Sequence, residues 1–530
     1  MPQALRRSLR RLAAPAAAVA LLAVLVAQAA TSIRHKSITH DESSHFTYGR
    51  QVLEQRTFLR HVHRHNATSP WMAIEAAAAA TASADGDDRL GGERLRRARL
   101  ATLLFGVGLG LVVFAWARRS HGDAAGLMAL ALAAFSPNLL AHARLVTTDV
   151  LAAFGIVLAL WTFWRLHRRR SATRLAIAGL ALGFALTTKA TAFDLVPVLA
   201  LLAGWRSAEL WRARRGSGRA VAGGPAWEPW LDLALVGLVA LVAVNAVHGF
   251  EGTFSTLAEQ PARSRRFQAL AAVPGIASVP LPLPAGWVQG LDWLSQDLER
   301  GRWTYLLGAY SRDGFPHYYL VAFLVKSTPA LLALTSLAAA LALARRLPPP
   351  AGGAPTARYL LLPAAALFVH LSLFHSFQIG IRHLLPVYPL LWIAVAAVAA
   401  ADRRSLRLAG WVLVALHATS SLAAHPHYLA YFNELAGGPA AGHRYLVDSN
   451  IDGGQDRAQA RRVWARFSLV PVIEDPGGPT AGRILINVNR LVGLSPAEHR
   501  TYAWLRDHFT PVDSIGHSWL VYDVDADALR

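Results

Sequence analysis

Cysteine is absent from the 530 residues, which removes disulfides, thiolate metal sites and cysteine nucleophiles together. Lysine is nearly absent: Lys36, Lys189 and Lys326 stand against fifty arginines. Charge of either sign is sparse at 16% of residues, while 54% are hydrophobic. So little charge excludes a disordered chain and, with the apolar residues gathered in long blocks, an ordinary soluble domain. What is present instead is a series of apolar runs such as 12–30, 100–117, 150–164 and 231–247. Each has roughly the 15 to 20 residues that a bilayer core requires. None shows the one-sided stripe of a soluble surface helix.

The formal charge of +20 would suit nucleic acid if the arginines made one patch. They fall instead in short runs between apolar blocks: Arg6, Arg7, Arg10 and Arg11, then Arg118 and Arg119, then Arg168 to Arg170, Arg214 and Arg215, Arg345 and Arg346, and Arg403 and Arg404. Alternation of this kind is the positive-inside pattern, so the basic balance reports topology rather than a nucleic-acid partner. The pattern predicts an α-helical multi-pass bundle of about eleven transmembrane helices. The spans are 12–30, 100–117, 123–139, 149–164, 173–188, 192–206, 231–248, 317–343, 358–375, 384–400 and 408–424. The first is read as a retained helix, since its apolar core exceeds that of a secretory signal. This register puts the N-terminus in the cytoplasm and the loops 31–99 and 249–316, with the segment 425–530, on the opposite side. In the first loop a helix is expected from Ser43 to about His61. The last hundred or so residues change character, with β-branched or alternating runs at 483–488 and 519–524 between Gly and Pro. They predict a small α/β domain outside the membrane, so the chain divides into 1–424 and 425–530. No internal repeat is visible, which weighs against a transporter built from two related halves.

Where arginine is the default cation, a remaining lysine is a candidate for work needing a compact ammonium. Lys189 follows the fifth span and Lys326 lies within the eighth, where an ammonium needs an anion unless it snorkels. Lys36 is read as an anchor after the first span. Two carboxylates, Asp41 and Asp149, stand at the outer ends of spans. If the bundle gathers those ends, they face Lys189, Lys326, Arg382 and His383 across one cavity. A carboxylate there suits a general base or a metal ligand, and a ring of cations suits a phosphate. The plainer reading makes both aspartates helix N-caps.

Asp41-Glu42 early in the first outer loop, Arg144-Leu-Val-Thr-Thr-Asp149, Thr188-Lys189-Ala-Thr191, Gly380-Ile-Arg-His-Leu-Leu-Pro386 and His427 to Glu434 with Asp448-Ser-Asn450 together carry a family likeness. In their order and outer-side placement they resemble bacterial GT-C membrane glycosyltransferases (glycosyltransferase family 39-like), of the branch containing protein O-mannosyltransferases and the lipid A aminoarabinose transferase. The resemblance runs from the first span to about Asp456. It implies an inverting hexosyl- or pentosyltransferase of the bacterial inner membrane, moving a sugar from a polyprenyl-phosphate-linked donor to a lipid, glycan or protein acceptor at the outer face. Asp41 would activate the acceptor hydroxyl with Glu42 its neighbour, and Asp149 would orient the acceptor or a divalent metal. Lys189, Arg382, His383 and Lys326 would hold the donor phosphate, with His45, Arg144, Asp448 and Asn450 as further site candidates. Two departures stand out: Gly453 replaces the tryptophan usual in relatives, and Asn66-Ala-Thr-Ser-Pro-Trp71 lacks their proline-rich form. Gly453 also completes Asp448-x-Asn450-x-Asp452-Gly453, the front half of a calcium loop whose twelfth place holds Gln459. The alternatives are a non-catalytic polyprenyl-phosphate-binding or scaffold protein of envelope assembly, then a transporter.

Overall fold

The computed structural model describes residues 3–34, 36–59, 69–82, 90–217, 224–351, 356–466 and 472–529. Helices account for most of it, because long apolar runs in a bilayer can satisfy their backbone only internally. Ala13–Ile33, Gly92–His121, Thr148–Arg168, Glu228–Val247, Thr356–Leu373 and Arg404–Ala423 are each long and apolar enough to cross a membrane. Their burial is graded. The most apolar stretch of Thr148–Arg168 is 72% buried by its neighbours, against 22% for that of Arg404–Ala423, so the former runs through the middle of the bundle and the latter faces lipid.

Two expected spans are broken rather than straight. In place of 123–139, Asp123–Ala134 turns through 62° into Pro137–Ala143, and in place of 317–343, Tyr318–Lys326 turns through 111° into Pro329–Leu343. Each second piece opens on a proline, which cannot continue the preceding helix but suits a first turn. Ser136 and Thr328 cap the new starts, accepting from the N–H groups of Leu139 and Leu331. Counting each bent pair as one span gives eight, and Ala172–Leu186 and Val387–Ala400 are shorter apolar helices. The multi-pass helical architecture holds, whereas the count of eleven is not reached by length and composition among the described residues.

The loop after the first span begins its helix earlier than expected, at His40, and runs to Gln55. The backbone N–H and the hydroxyl of Thr39 both donate to Glu42 Oε2, at 2.8 and 3.0 Å, the second half of a capping box. That start puts Asp41 in the first turn, pointing away from the cap. Of the stretch at 66–71, residues 66–68 lie outside the described residues.

Toward the C-terminus a four-stranded sheet forms in the order Val472–Glu474, Gly482–Asn487, Trp519–Val524, Asp513–Ile515. The first pair is parallel and the other two antiparallel. Alternation along Gly482–Asn487 gives the sheet two faces. Ile484 and Ile486 join the apolar core that continues from the bundle, while Leu485 packs with Ala460, Ile515 and Trp519 in a small cluster of its own. The segment before the sheet is zipped onto the first outer loop: Ser37 N–H donates to Gln455 O at 2.7 Å, His40 N–H to Gly453 O at 2.9 Å, and Ala458 N–H to Ser37 Oγ at 2.7 Å.

Candidate functional site

Four side chains of alternating charge form one line at one end of the bundle. Arg382 pairs with Asp41 and lies 4.0 Å from Asp149. Asp149 accepts from Lys189 at 2.6 Å. They come from four separate places: the first turn of His40–Gln55, the first turn of Thr148–Arg168, the end of the turn after Ala172–Leu186, and the 3-10 turn Ile381–Leu384. Neither aspartate is an N-cap, since Thr39 and Thr147 hold those positions. The Arg382 guanidinium holds the Asp41 carboxyl well below the ordinary carboxylate range, so Asp41 stands ionised.

Arg382 is itself held by the Asp448–Asn450 turn. Asn450 Oδ1 accepts from Ile381 N–H at 3.0 Å, its Nδ2 donates to the Tyr318 hydroxyl at 3.0 Å, and Ser449 Oγ donates to Ile379 O at 2.5 Å. The approach is close enough to require Gly380, where an added Cβ would sit 2.5 Å from Ser449 Oγ. Asn450 is thus a positioning residue, and Asp448 faces the open space.

Two cavities meet at this line. One, of about 820 Å³, runs from Asp41, His142 and Asp149 past Asp448 and Asp452 to Arg457, Asn487 and Arg490. The other, of about 480 Å³, holds Lys189, His45, His370, His375 and His383 against an apolar wall of Leu294, Leu298, Leu371, Phe374 and Phe377. Asp41, Asp149, Arg302, Ile379 and Arg382 line both. His383 lies 3.2 Å from the Tyr319 hydroxyl through Nδ1 and stacks on Phe377. Burial drives its imidazole well below the ordinary value, so it offers a hydrogen bond rather than a charge.

Residues 88–215 match the family model described as dolichyl-phosphate-mannose-protein mannosyltransferase. The match bears out the glycosyltransferase resemblance. Asp149 and Lys189 fall inside the matched segment, Asp41 and Arg382 outside it. No curated protein matches the chain by sequence. Among solved structures, the Saccharomyces cerevisiae protein O-mannosyltransferase complex bound to its sugar donor aligns with TM-score 0.36 and 19% identity, over 47% of this chain and only 35% of that one. ArnT from Cupriavidus metallidurans bound to undecaprenyl phosphate aligns with TM-score 0.34 and 14% identity, over 96% and 98%. The Archaeoglobus fulgidus oligosaccharyltransferase in the apo form aligns with TM-score 0.45 and 17% identity, over 84% and 58%.

Several expected members of the glycosyltransferase site stand elsewhere. Glu42 is fully buried and lines neither cavity; it pairs with Arg99 at 2.6 Å and accepts from Val146 N–H at 3.0 Å, so it ties the first outer loop to the turn before Asp149. Lys326 is 1% exposed at the break between two helices and also lines neither cavity. Its ammonium donates to the carbonyls of Leu429 and Asn450 at 2.8 and 2.7 Å and sits over the Phe432 ring, which supplies the negative partner expected of an anion. Arg144 is buried, its guanidinium near the charges of Glu42, Asp456 and Arg99 and away from both cavities. Lys36 is no interfacial anchor, being buried in a 2.5 Å pair with Asp456.

The calcium half-loop does not close on a common point. Asn450 Oδ1 is taken by Ile381 N–H and Asp452 Oδ2 by the Asn487 amide. Asp41 and Asp149 are each engaged by a cation, and among the described residues no group of three His, Asp or Glu side chains is arranged to hold a metal ion. The sequence reading missed Arg302 and His142. Among fifty arginines Arg302 carries no contrast, whereas His142, two residues before Arg144 in an outer turn, was a signal available to find.

Proposed function

We propose that this chain is an inverting glycosyltransferase that uses a polyprenyl-phosphate-linked sugar, with its reaction centre at the Asp41–Arg382–Asp149–Lys189 line. The observation that carries the reading is the meeting of two cavities on that line, so that a donor and an acceptor can approach it from different sides. The smaller one, with an apolar wall facing Lys189 and Arg382, suits a lipid monophosphate; the larger, with Asn487, Asn489 and several charged side chains in its lining, suits an acceptor bearing hydroxyls. The family description matched at 88–215, a dolichyl-phosphate-linked donor, agrees with a lipid phosphate.

In the reaction, Asp41 takes the proton of the acceptor hydroxyl, the acceptor oxygen bonds to the anomeric carbon, and the bond from that carbon to the phosphate oxygen breaks with inversion. The lipid phosphate leaves as an anion stabilised by Lys189 and Arg382, with His383 donating a hydrogen bond. Arg382 is paired with Asp41. An arriving phosphate competes for that guanidinium, which relieves the depression of the Asp41 carboxyl and makes it a better base once the donor is bound. Donor binding thereby prepares the acceptor side.

Neutralising Lys189 tests this. A charge-assisted contact is worth about 1.5 to 3 kcal/mol, so Lys189→Met is expected to weaken binding of bare polyprenyl phosphate roughly ten- to a hundredfold. Lys326→Met, removing a lysine that faces carbonyls, should leave that affinity unchanged and lower thermal stability instead. Equal affinities for all three proteins would remove the phosphate cradle.

The cavities face the periplasmic or extracellular side under the same reading, because Arg168, Arg214 and Arg403 cluster at the other end of the spans. A cysteine introduced at position 214 in this cysteine-free chain should react with a membrane-impermeant maleimide only after the membrane is opened. Labelling of intact cells at 214 would reverse the orientation.

A further inference from the structure

The segment after the bundle lines part of the larger cavity, and it brings two arginines there that are not paired. Arg457 and Arg461 stand one helical turn apart on Arg457–Arg466, so they project from the same face. Both line the cavity, both are exposed, and neither has an ion-pair partner among the described residues. Other charges in the cavity are largely spoken for: Asp41 by Arg382, Asp149 by Lys189, and Asp475 by Arg490 at 3.7 Å. Asp452 accepts from Asn487, and burial raises its carboxyl to about 6. Of the remaining carboxylates, Asp448 faces Arg302 and Arg382, and neither Asp452 nor Glu474 forms an ion pair with Arg457 or Arg461 among the described residues.

The distance to the reaction centre is set by backbone pairing. Residues 453–458 are hydrogen-bonded to residues 37–40, directly before Asp41. The arginine pair and the general base therefore border the same space from adjoining segments. Beside the arginines, Asn487 and Asn489 offer amide groups of the kind that bind sugar hydroxyls.

We infer that the acceptor is an anionic sugar, one carrying a phosphate or carboxylate, whose negative group is held by Arg457 and Arg461 while a hydroxyl is presented to Asp41. Recognition of the acceptor then falls to the segment outside the membrane, and recognition of the donor to the bundle. The inference rests on the glycosyltransferase reading, and its test separates the two. The purified full-length protein is first titrated with polyprenyl phosphate. It is then titrated with glucose 1-phosphate, glucuronate and neutral glucose, with polyprenyl phosphate present at saturation to occupy the donor cradle, and the sugar titrations are run whatever the first result.

The wild-type protein should bind at least one of the two anionic sugars about tenfold or more tightly than glucose, as a pair of charge-assisted contacts requires. Which of the two binds tighter assigns the phosphate or the carboxylate. Arg457→Gln with Arg461→Gln should abolish the preference without changing polyprenyl phosphate affinity. Arg462→Gln, a neighbouring exposed arginine that does not line the cavity, should keep the preference. Equal binding of charged and neutral sugars, or a preference that survives in the double variant, overturns the inference. Failure of polyprenyl phosphate itself to bind overturns the donor reading instead.

Discussion

Asp41→Asn is expected to lower sugar transfer roughly 10²-fold or more, the scale of a missing general base, while the protein stays folded and binds polyprenyl phosphate at least as tightly as before. The asparagine keeps the shape of the side chain and an oxygen that accepts from Arg382, so the local structure loses little. What disappears is the group able to take a proton. Donor affinity is expected to hold or rise, because Arg382 is then free of its counter-charge and turns wholly to the phosphate. An Asp41 that served only the first turn of His40–Gln55 would instead contribute a few tenths of a kcal/mol to 1 kcal/mol through the helix dipole. Transfer by the asparagine variant would then be near normal. Turnover of a polyprenyl-phosphate-linked sugar, measured beside lipid affinity, separates the two.

Glu42→Gln should act on a different quantity. Glu42 and Arg99 are both fully buried, so removing one charge strands the other, at a cost of about 3 to 5 kcal/mol. The expected result is a large fall in thermal stability and in folded protein recovered in detergent. Arg99→Met should behave the same way, and the two changes together should recover part of the loss, because neither member of the pair is then left as a stranded charge. A Glu42→Gln protein of normal stability that had lost transfer would return Glu42 to the reaction itself. Two adjacent carboxylates are thus assigned two kinds of work, one by the cavity it faces and one by the pair it makes.

Which of those carboxylates faces the cavity depends on where one helix starts. Thr39-x-x-Glu42 is a capping-box pattern visible in the sequence, but a start set at Ser43 hides it and makes Asp41 look like the cap. The meeting of Asp41, Asp149, Lys189 and Arg382 at one end of the bundle was legible because each lies at the edge of an apolar block. Lys326 was not legible as a structural tie. Its acceptors, the carbonyls of Leu429 and Asn450, arrive from more than a hundred residues further along the chain, and nothing local announces them. The breaks at Pro137 and Pro329 were visible as prolines, but an apolar run reads the same whether the helix is straight or bent. The strands at 482–487 and 519–524 could be read in advance because their β-branched, alternating residues lie between Gly and Pro.

Of the histidines in the smaller cavity, His45 and His383 were named by the family likeness, whereas nothing local in the sequence marks His370 and His375. A histidine's part depends on burial, and His383 is made neutral by surroundings drawn from several separate segments. Under the proposed function its contribution to the phosphate would be a hydrogen bond, smaller than that of Lys189 or Arg382.

The most direct measurement is the mass of the lipid that stays with the protein through purification, compared among the wild type, Asp41→Asn and Lys189→Met. A chain that takes a polyprenyl-phosphate-linked donor should retain a long isoprenoid carrying a single phosphate, with or without a sugar. Asp41→Asn should retain as much or more, enriched in the sugar-bearing form because transfer is blocked, and Lys189→Met should retain far less. Ordinary phospholipid alone in all three proteins, or equal isoprenoid phosphate in all three, would contradict the account.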